Sequence, residues 1–420
     1  MSKIFIENKN FRSFLIFSVF SNIGRGIFGI FMMWAIHALY QNSIYTGIAG
    51  FMFAAPMVAS FIAGPFVDRW SKVKVLRVAC FVKFCVVALI LAVPYFYQPG
   101  VWFLLIAILV FSIAGVFSGA AGTAILPRIV SGEDLVKANV LMQMAGTIGG
   151  LGIGVVLYVL MARGAGFELV YGVNAAVLLV GLLFSASLRS NESGDGKVKT
   201  EKTEKSGFKM YFYELKAGLS FIKKGVLLPL FTAIVFTGFF ADMARVNLPM
   251  FAEVHLGTAS GFIVLSALAL VGGLIGSYIS AIIGPKLELS KIFILCFIAA
   301  GATRILFVNI IPDNFIRGLL IFALYAGLGG AIGIFFHTLM QRLPPKHMIG
   351  RITTLNTSLF GAAAAVGALV GGLAGSILPN VDMVFIIQGA SYIAIGLCLC
   401  LSKRVRKLPK ISDMKAVVEE

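Results

Sequence analysis

Three charged residues stand inside long apolar runs of this 420-residue chain: Arg25 in SNIGRGIFG, and Asp242 with Arg245 in GFFADMARVNLP. An ionisable group is costly where water is scarce, so each is a functional candidate first and a packing residue second. The spacing of three sets Asp242 and Arg245 on one face of a helix. Sliding the chain on itself by 217 residues places Arg25 opposite Asp242, so corresponding positions carry opposite charges. A carboxylate among guanidinium groups offers one chemical resource, its proton. Taking up that proton cancels the attraction to both cations, which is a route by which a proton could change a conformational equilibrium. The competing reading of the same three residues is a static ion network that fixes helix packing.

The elements that must position these residues are membrane spans. Hydrophobic residues make up 59% of the chain and charged residues 13%, with a mean hydropathy of +0.96. A soluble domain holds about 45–50% apolar and about 25% charged residues, so this chain needs lipid as its solvent. Spanning helices of about 20 residues are predicted near 14–39, 45–67, 76–97, 101–126, 139–162, 168–188, 226–250, 259–283, 290–311, 316–340, 353–378 and 383–402. This predicts an all-α integral membrane protein with twelve transmembrane helices in two six-helix bundles. The expected division is 1–190 for the first bundle, 191–225 for a linker, 226–402 for the second bundle and 403–420 for a tail. The linker starts polar and Lys-rich; its second half, FKMYFYELKAGLSFIKKG, reads as an amphipathic interfacial helix.

Charge placement orients the spans. Of 35 Lys and Arg, 29 fall in segments assigned to the inner side, two (Arg163, Arg317) in outer loops and four (Arg25, Lys83, Arg245, Arg304) within spans. That asymmetry places both termini in the cytoplasm. The net charge of +17 is then topological and leaves nucleic acid without support as a partner. The five cysteines all lie in apolar runs without a CxxC spacing, and are expected to be buried thiols. The first apolar run is long and ends in no small-residue cleavage site, so a cleavable signal is not expected. Lys83 lies about two turns from the inner end of its span, within snorkelling reach. Arg304 lies nearer the outer face, and His37 and His337 sit near opposite faces. No HExxH, GxSxG, Walker A loop or metal-ligand cluster is present, so the chain is read as neither an enzyme nor a metal or cofactor protein.

The halves share a design. At the 217 offset Pro127 aligns with Pro344, Asn139 with Asn356, Gly150 with Gly367 and Gly154 with Gly371. Gly146, Gly150 and Gly154 recur every four residues, as do Gly367, Gly371 and Gly375, which makes flat ridges suited to close helix packing. The segment Gly64-Pro-Phe-Val-Asp68-Arg69-Trp-Ser-Lys72 resembles the G-x-x-x-D-R-x-x-[RK] signature of the major facilitator superfamily. LPRIVSGEDLVKANVLMQ, ELKAGLSFIKKG and RLPPKHMIGRITTL are similar to the branch containing macrolide-efflux proteins and the enterobactin exporter.

The resemblance implies a fold with a central cavity lined by spans one and seven, where an Arg25–Asp242 attraction between the halves would be strong. It implies that Gly64, Asp68, Arg69 and Lys72 form a conformational latch on the inner side. Arg69, Lys72 and Lys74 also read simply as orientation charges. A cavity wall is expected from aromatic residues, among them Phe28 and Trp34 on span one, Phe239 and Phe240 on span seven, and Tyr325 on span ten. The expected function is proton-coupled export of a hydrophobic or amphipathic small molecule from a monomer in the inner membrane. Movement of a lipid or lysophospholipid between leaflets is the alternative within the fold, and a non-transporting receptor or enzyme the alternative outside it.

Overall fold

A computed structural model describes residues 8–58, 70–93, 100–130, 166–188, 227–257, 259–283, 288–342 and 349–406, with a few isolated positions between them. The described residues are helical, without strands. The chain divides into two compact units, Met1–Thr200 and Glu201–Glu420. The first holds α1 (Lys9–Tyr40), α2 (Ser43–Val58), α3 (Lys72–Ala92), α4 (Val101–Ile129) and α5 (Phe167–Ala186). The second holds α6 (Leu227–Arg245), α7 (Leu248–Leu256), α8 (Ala259–Ile283), α9 (Leu289–Ile310), α10 (Phe315–Arg342), α11 (Ile349–Ile377), α12 (Asp382–Leu401) and the single turn α13 (Lys403–Arg406). Ten of these are long and apolar enough to cross a membrane, and α2 is a shorter apolar helix. The span expected at 139–162, its glycine ridge and the interfacial helix of the linker lie outside the described residues.

Helix ends follow local chemistry. Asn8 caps α1: its side chain accepts from the Phe11 amide at 2.9 Å and donates to the Ile129 carbonyl at 2.6 Å, tying α1 to the end of α4. Arg77, an inner-side base by sequence, donates to the carbonyls of Ser185 (2.9 Å), Ala186 (3.1 Å) and Leu188 (2.7 Å). It thereby satisfies the orphan carbonyls at the end of α5. The seventh span is shorter than the sequence suggested. It stops at Arg245, because Pro249 lacks the amide hydrogen needed to continue the ladder and instead stands in the first turn of α7.

In the first unit, Phe11, Phe14, Phe17 and Cys80 form part of a buried cluster with the start of α3 and the end of α4. In the second, the core gathers Leu230, Phe231, Phe297, Phe335, Phe336 and Tyr392 from α6, α9, α10 and α12. The cysteine expectation needs correcting: Cys80 and Cys296 are buried, but Cys85, Cys398 and Cys400 are exposed. An outward face of a spanning helix meets lipid, so a thiol there obeys the same apolar rule as one in the core.

Backbone seams join three helix pairs of the second unit. A Cβ added at Gly367 or Gly371 of α11 would strike the carbonyl oxygens of Phe239 and Met243 of α6. Gly276 of α8 touches Gly327 of α10, and Gly301 of α9 touches Gly389 of α12, in the same way. The ridge of Gly367 and Gly371 therefore serves tight packing against α6.

Candidate functional site

Arg25 sits at the middle of the 32-residue α1, about 23 Å from either end at 1.5 Å per residue. It is exposed. The face around it is Asn22, Arg25, Gly26 and Gly29, related by helical steps of three and four, and a Cβ at Gly26 or Gly29 would meet nothing within 4 Å. The next residue back, Gly24, packs against Leu178 and Asn174 of α5, which fixes the rotation of α1 and so the direction of Arg25. On α3, Lys83 is only 2% exposed. It therefore does not snorkel; its ammonium lies 5.7 Å from the centroid of Phe111.

The second unit brings Asp242 and Arg245 together as an ion pair within α6, their side chains 14% and 46% exposed. The seam behind them sets their direction. Phe239 and Met243 face α11, and Asn247 donates to the carbonyls of Gly371 (2.8 Å) and Met243 (3.0 Å). Arg245 also closes the C-terminal turn of α6, where positive charge meets the negative end of the helix dipole.

The other expected site residues separate by environment. Phe28 is fully buried, stacked on Phe111 at 3.8 Å and edge-on to Phe53 at 6.1 Å, so its faces are occupied by core rings. Trp34 is buried beside His37 at 5.7 Å. Phe239 and Phe240 are partly exposed and meet edge to face at 5.0 Å. Lys72 is buried at the start of α3, while Gly64, Asp68 and Arg69 lie outside the described residues.

Tyr325 belongs to a group that sequence reasoning did not assemble. Arg304 on α9 is 3% exposed, and its guanidinium carbon lies 4.5–5.5 Å from the ring centroids of Phe307, Phe322, Tyr325 and Phe385. Its Nε donates to Gln388 Oε1 at 2.8 Å, Gln388 donates to the Tyr325 hydroxyl at 2.9 Å, and Nη1 has no hydrogen-bond partner. Four ring faces thus surround a charge with no carboxylate in contact among the described residues. The signal for it was a lone Arg in an aromatic-rich span, but its partners come from three helices. A second unforeseen pair is His255 on α7 with Asp382 at the start of α12, 2.7 Å apart and both mostly buried.

Ten helices long and apolar enough to cross a membrane, several of them paired backbone to backbone, define a multi-pass membrane protein. Residues 14–368 match the Major Facilitator Superfamily, and the chain belongs to that family. It is 26% identical over 434 aligned positions to a Salmonella typhi protein named enterobactin exporter EntS, covering 96% of this chain and 95% of that one. The nucleoside transporter NupG superposes with a TM-score of 0.68 at 13% identity, covering 93% of this chain and 98% of that one. A D-xylose-proton symporter does so with a TM-score of 0.72 at 12% identity, covering 98% and 100%. The all-α integral-membrane architecture expected from the sequence is therefore the major facilitator fold.

Proposed function

We propose that this chain is a secondary active exporter, moving a hydrophobic or amphipathic small molecule of drug, macrolide or siderophore kind out of the cell by proton-coupled alternating access. The observation that carries the reading is Asp242: a carboxylate on a spanning helix, paired with Arg245 and anchored from behind by the α11 seam. Proton uptake neutralises Asp242 and releases Arg245, whose unpaired charge then changes which conformation is favoured. Arg25 supplies positive charge at the corresponding position of the first unit. Gly64, Asp68, Arg69 and Lys72 act as the inner latch, and Phe239 and Phe240 offer apolar surface to the cargo. Similarity to proteins named enterobactin exporters along 96% of the chain supports export as the direction. The protein works as a monomer in the inner membrane, with both termini cytoplasmic.

Inside-out vesicles with an acidified lumen test this. Adding a transported compound, from a panel of macrolides and catecholate siderophores, dissipates the pH gradient, and Asp242→Asn abolishes that response. Transport by Asp242→Asn with undiminished proton dependence would sink the coupling role. Accumulation of cargo by the native chain without proton movement would sink proton drive itself.

A further inference from the structure

The first unit holds a positive charge that it does not use. Arg25 is exposed at the midpoint of α1 and, among the described residues, makes no hydrogen bond or ion pair. About 23 Å from either helix end, its side chain is too short to snorkel to an interface. A bare guanidinium at that depth is tolerated only where it faces water or a partner. The same unit holds a second, buried cation, Lys83 on α3. The single carboxylate among the unit's described residues, Glu168, stands in the first turn of α5, at a helix terminus. With no carboxylate beside it among the described residues, Arg25 gives its face of α1 a net positive charge.

The site also has room. Gly26, the next residue, and Gly29, one turn on from Arg25, open onto space where a Cβ would meet no atom within 4 Å. Asn22, on the same face, is partly exposed and brings an amide that both donates and accepts. A planar fork of N–H donors beside open volume matches an oxyanion, which it can hold through two parallel hydrogen bonds.

We propose that Arg25 is the anchor of an oxyanion-binding position on α1, so that the molecule this protein carries bears a carboxylate, phosphate, sulfonate or ionised phenol beside its apolar body. This deepens the exporter reading and rests on it for the word "carries"; the site itself rests on Arg25, Gly26 and Gly29 alone.

The test uses the full chain in nanodiscs of uncharged lipid with two fluorescent probes of one shape: anilinonaphthalenesulfonate, and phenylnaphthylamine, which lacks the sulfonate. The sulfonate is expected to bind saturably and about tenfold more tightly than its neutral counterpart. Arg25→Gln removes that advantage and leaves the neutral probe unchanged. Arg25→Lys, which keeps the charge but not the fork, retains part of it. Gly29→Leu, which fills the open space, weakens both probes, and Arg317→Gln, an exposed arginine elsewhere, changes neither. Equal binding of the two probes to the native chain, or native affinity for the sulfonate in Arg25→Gln, would overturn the proposal. Displacement of the sulfonate by phosphatidylglycerol but not sulfate makes a lipid headgroup the natural anion; displacement by sulfate makes it a small free anion; displacement by neither leaves the anionic group of a larger cargo. All three keep the site. Because no gradient is present, a chain that binds the sulfonate but moves neither cargo nor protons in vesicles loses the exporter reading and keeps the site, and the reverse result loses the site alone.

Discussion

The two units treat charge in opposite ways. In the first, Arg25 stands open on a glycine-lined face, and Lys83 is shut under a single ring. In the second, Asp242 and Arg245 neutralise each other, and Arg304 is enclosed by four rings and Gln388. The second unit pairs one charge and encloses another, whereas Arg25 in the first makes no hydrogen bond or ion pair among the described residues. A fold built twice can thus give one copy to switching and the other to recognition, since the helices need only agree in apolar length, not in the chemistry of their midpoints.

That contrast can be broken at graded points. The largest effect is expected from Asp242→Asn, with proton-driven transport down about 100-fold or more, because neither a lost charge nor a lost proton site is replaced; fluorescence quenching in inside-out vesicles measures it. Next comes Gly371→Leu, whose side chain would enter the backbone of Met243 and cost about 3 kcal/mol, read as a fall in unfolding temperature in detergent. The same replacement at Gly29, which opens onto empty space, should change stability by less than about 0.5 kcal/mol; equal losses at the two glycines would remove the distinction between a closed unit and an open face. Arg304→Ala should cost about 2 kcal/mol by stranding Gln388 and leaving a void among the rings. Among the ion and ring contacts the smallest loss is that of His255→Ala, at about 1 kcal/mol for a partly buried pair, visible as increased hydrogen exchange at the start of α12.

Much of this was legible in the chain because a bilayer permits few solutions. The eighth span was expected at 259–283 and α8 occupies those residues, since twenty or more apolar residues leave little choice of ends. The Asp242–Arg245 pair followed from a spacing of three. What could not be read was facing. Spanning helices are apolar all round, so periodicity does not separate lipid from core; hence the exposed cysteines, and Phe28 packed away behind Phe111. Nor could the Arg304 cage be read, because Phe307, Phe322 and Phe385 are brought together only by the packing of α9, α10 and α12. The break after Arg245 was written in Pro249 but masked by the continuing run of apolar residues around it.

The glycine seams also have a mechanical side. Where α6 meets α11, α8 meets α10 and α9 meets α12, backbone lies on backbone with no side chain between. Side chains are the compliant part of a helix contact, since rotamers yield before peptide planes do. A seam without them passes load with little give, so a force that shifts α6 reaches α11 almost undiminished. Each seamed pair behaves as one stiff beam, and any bending is left to the connections at its ends.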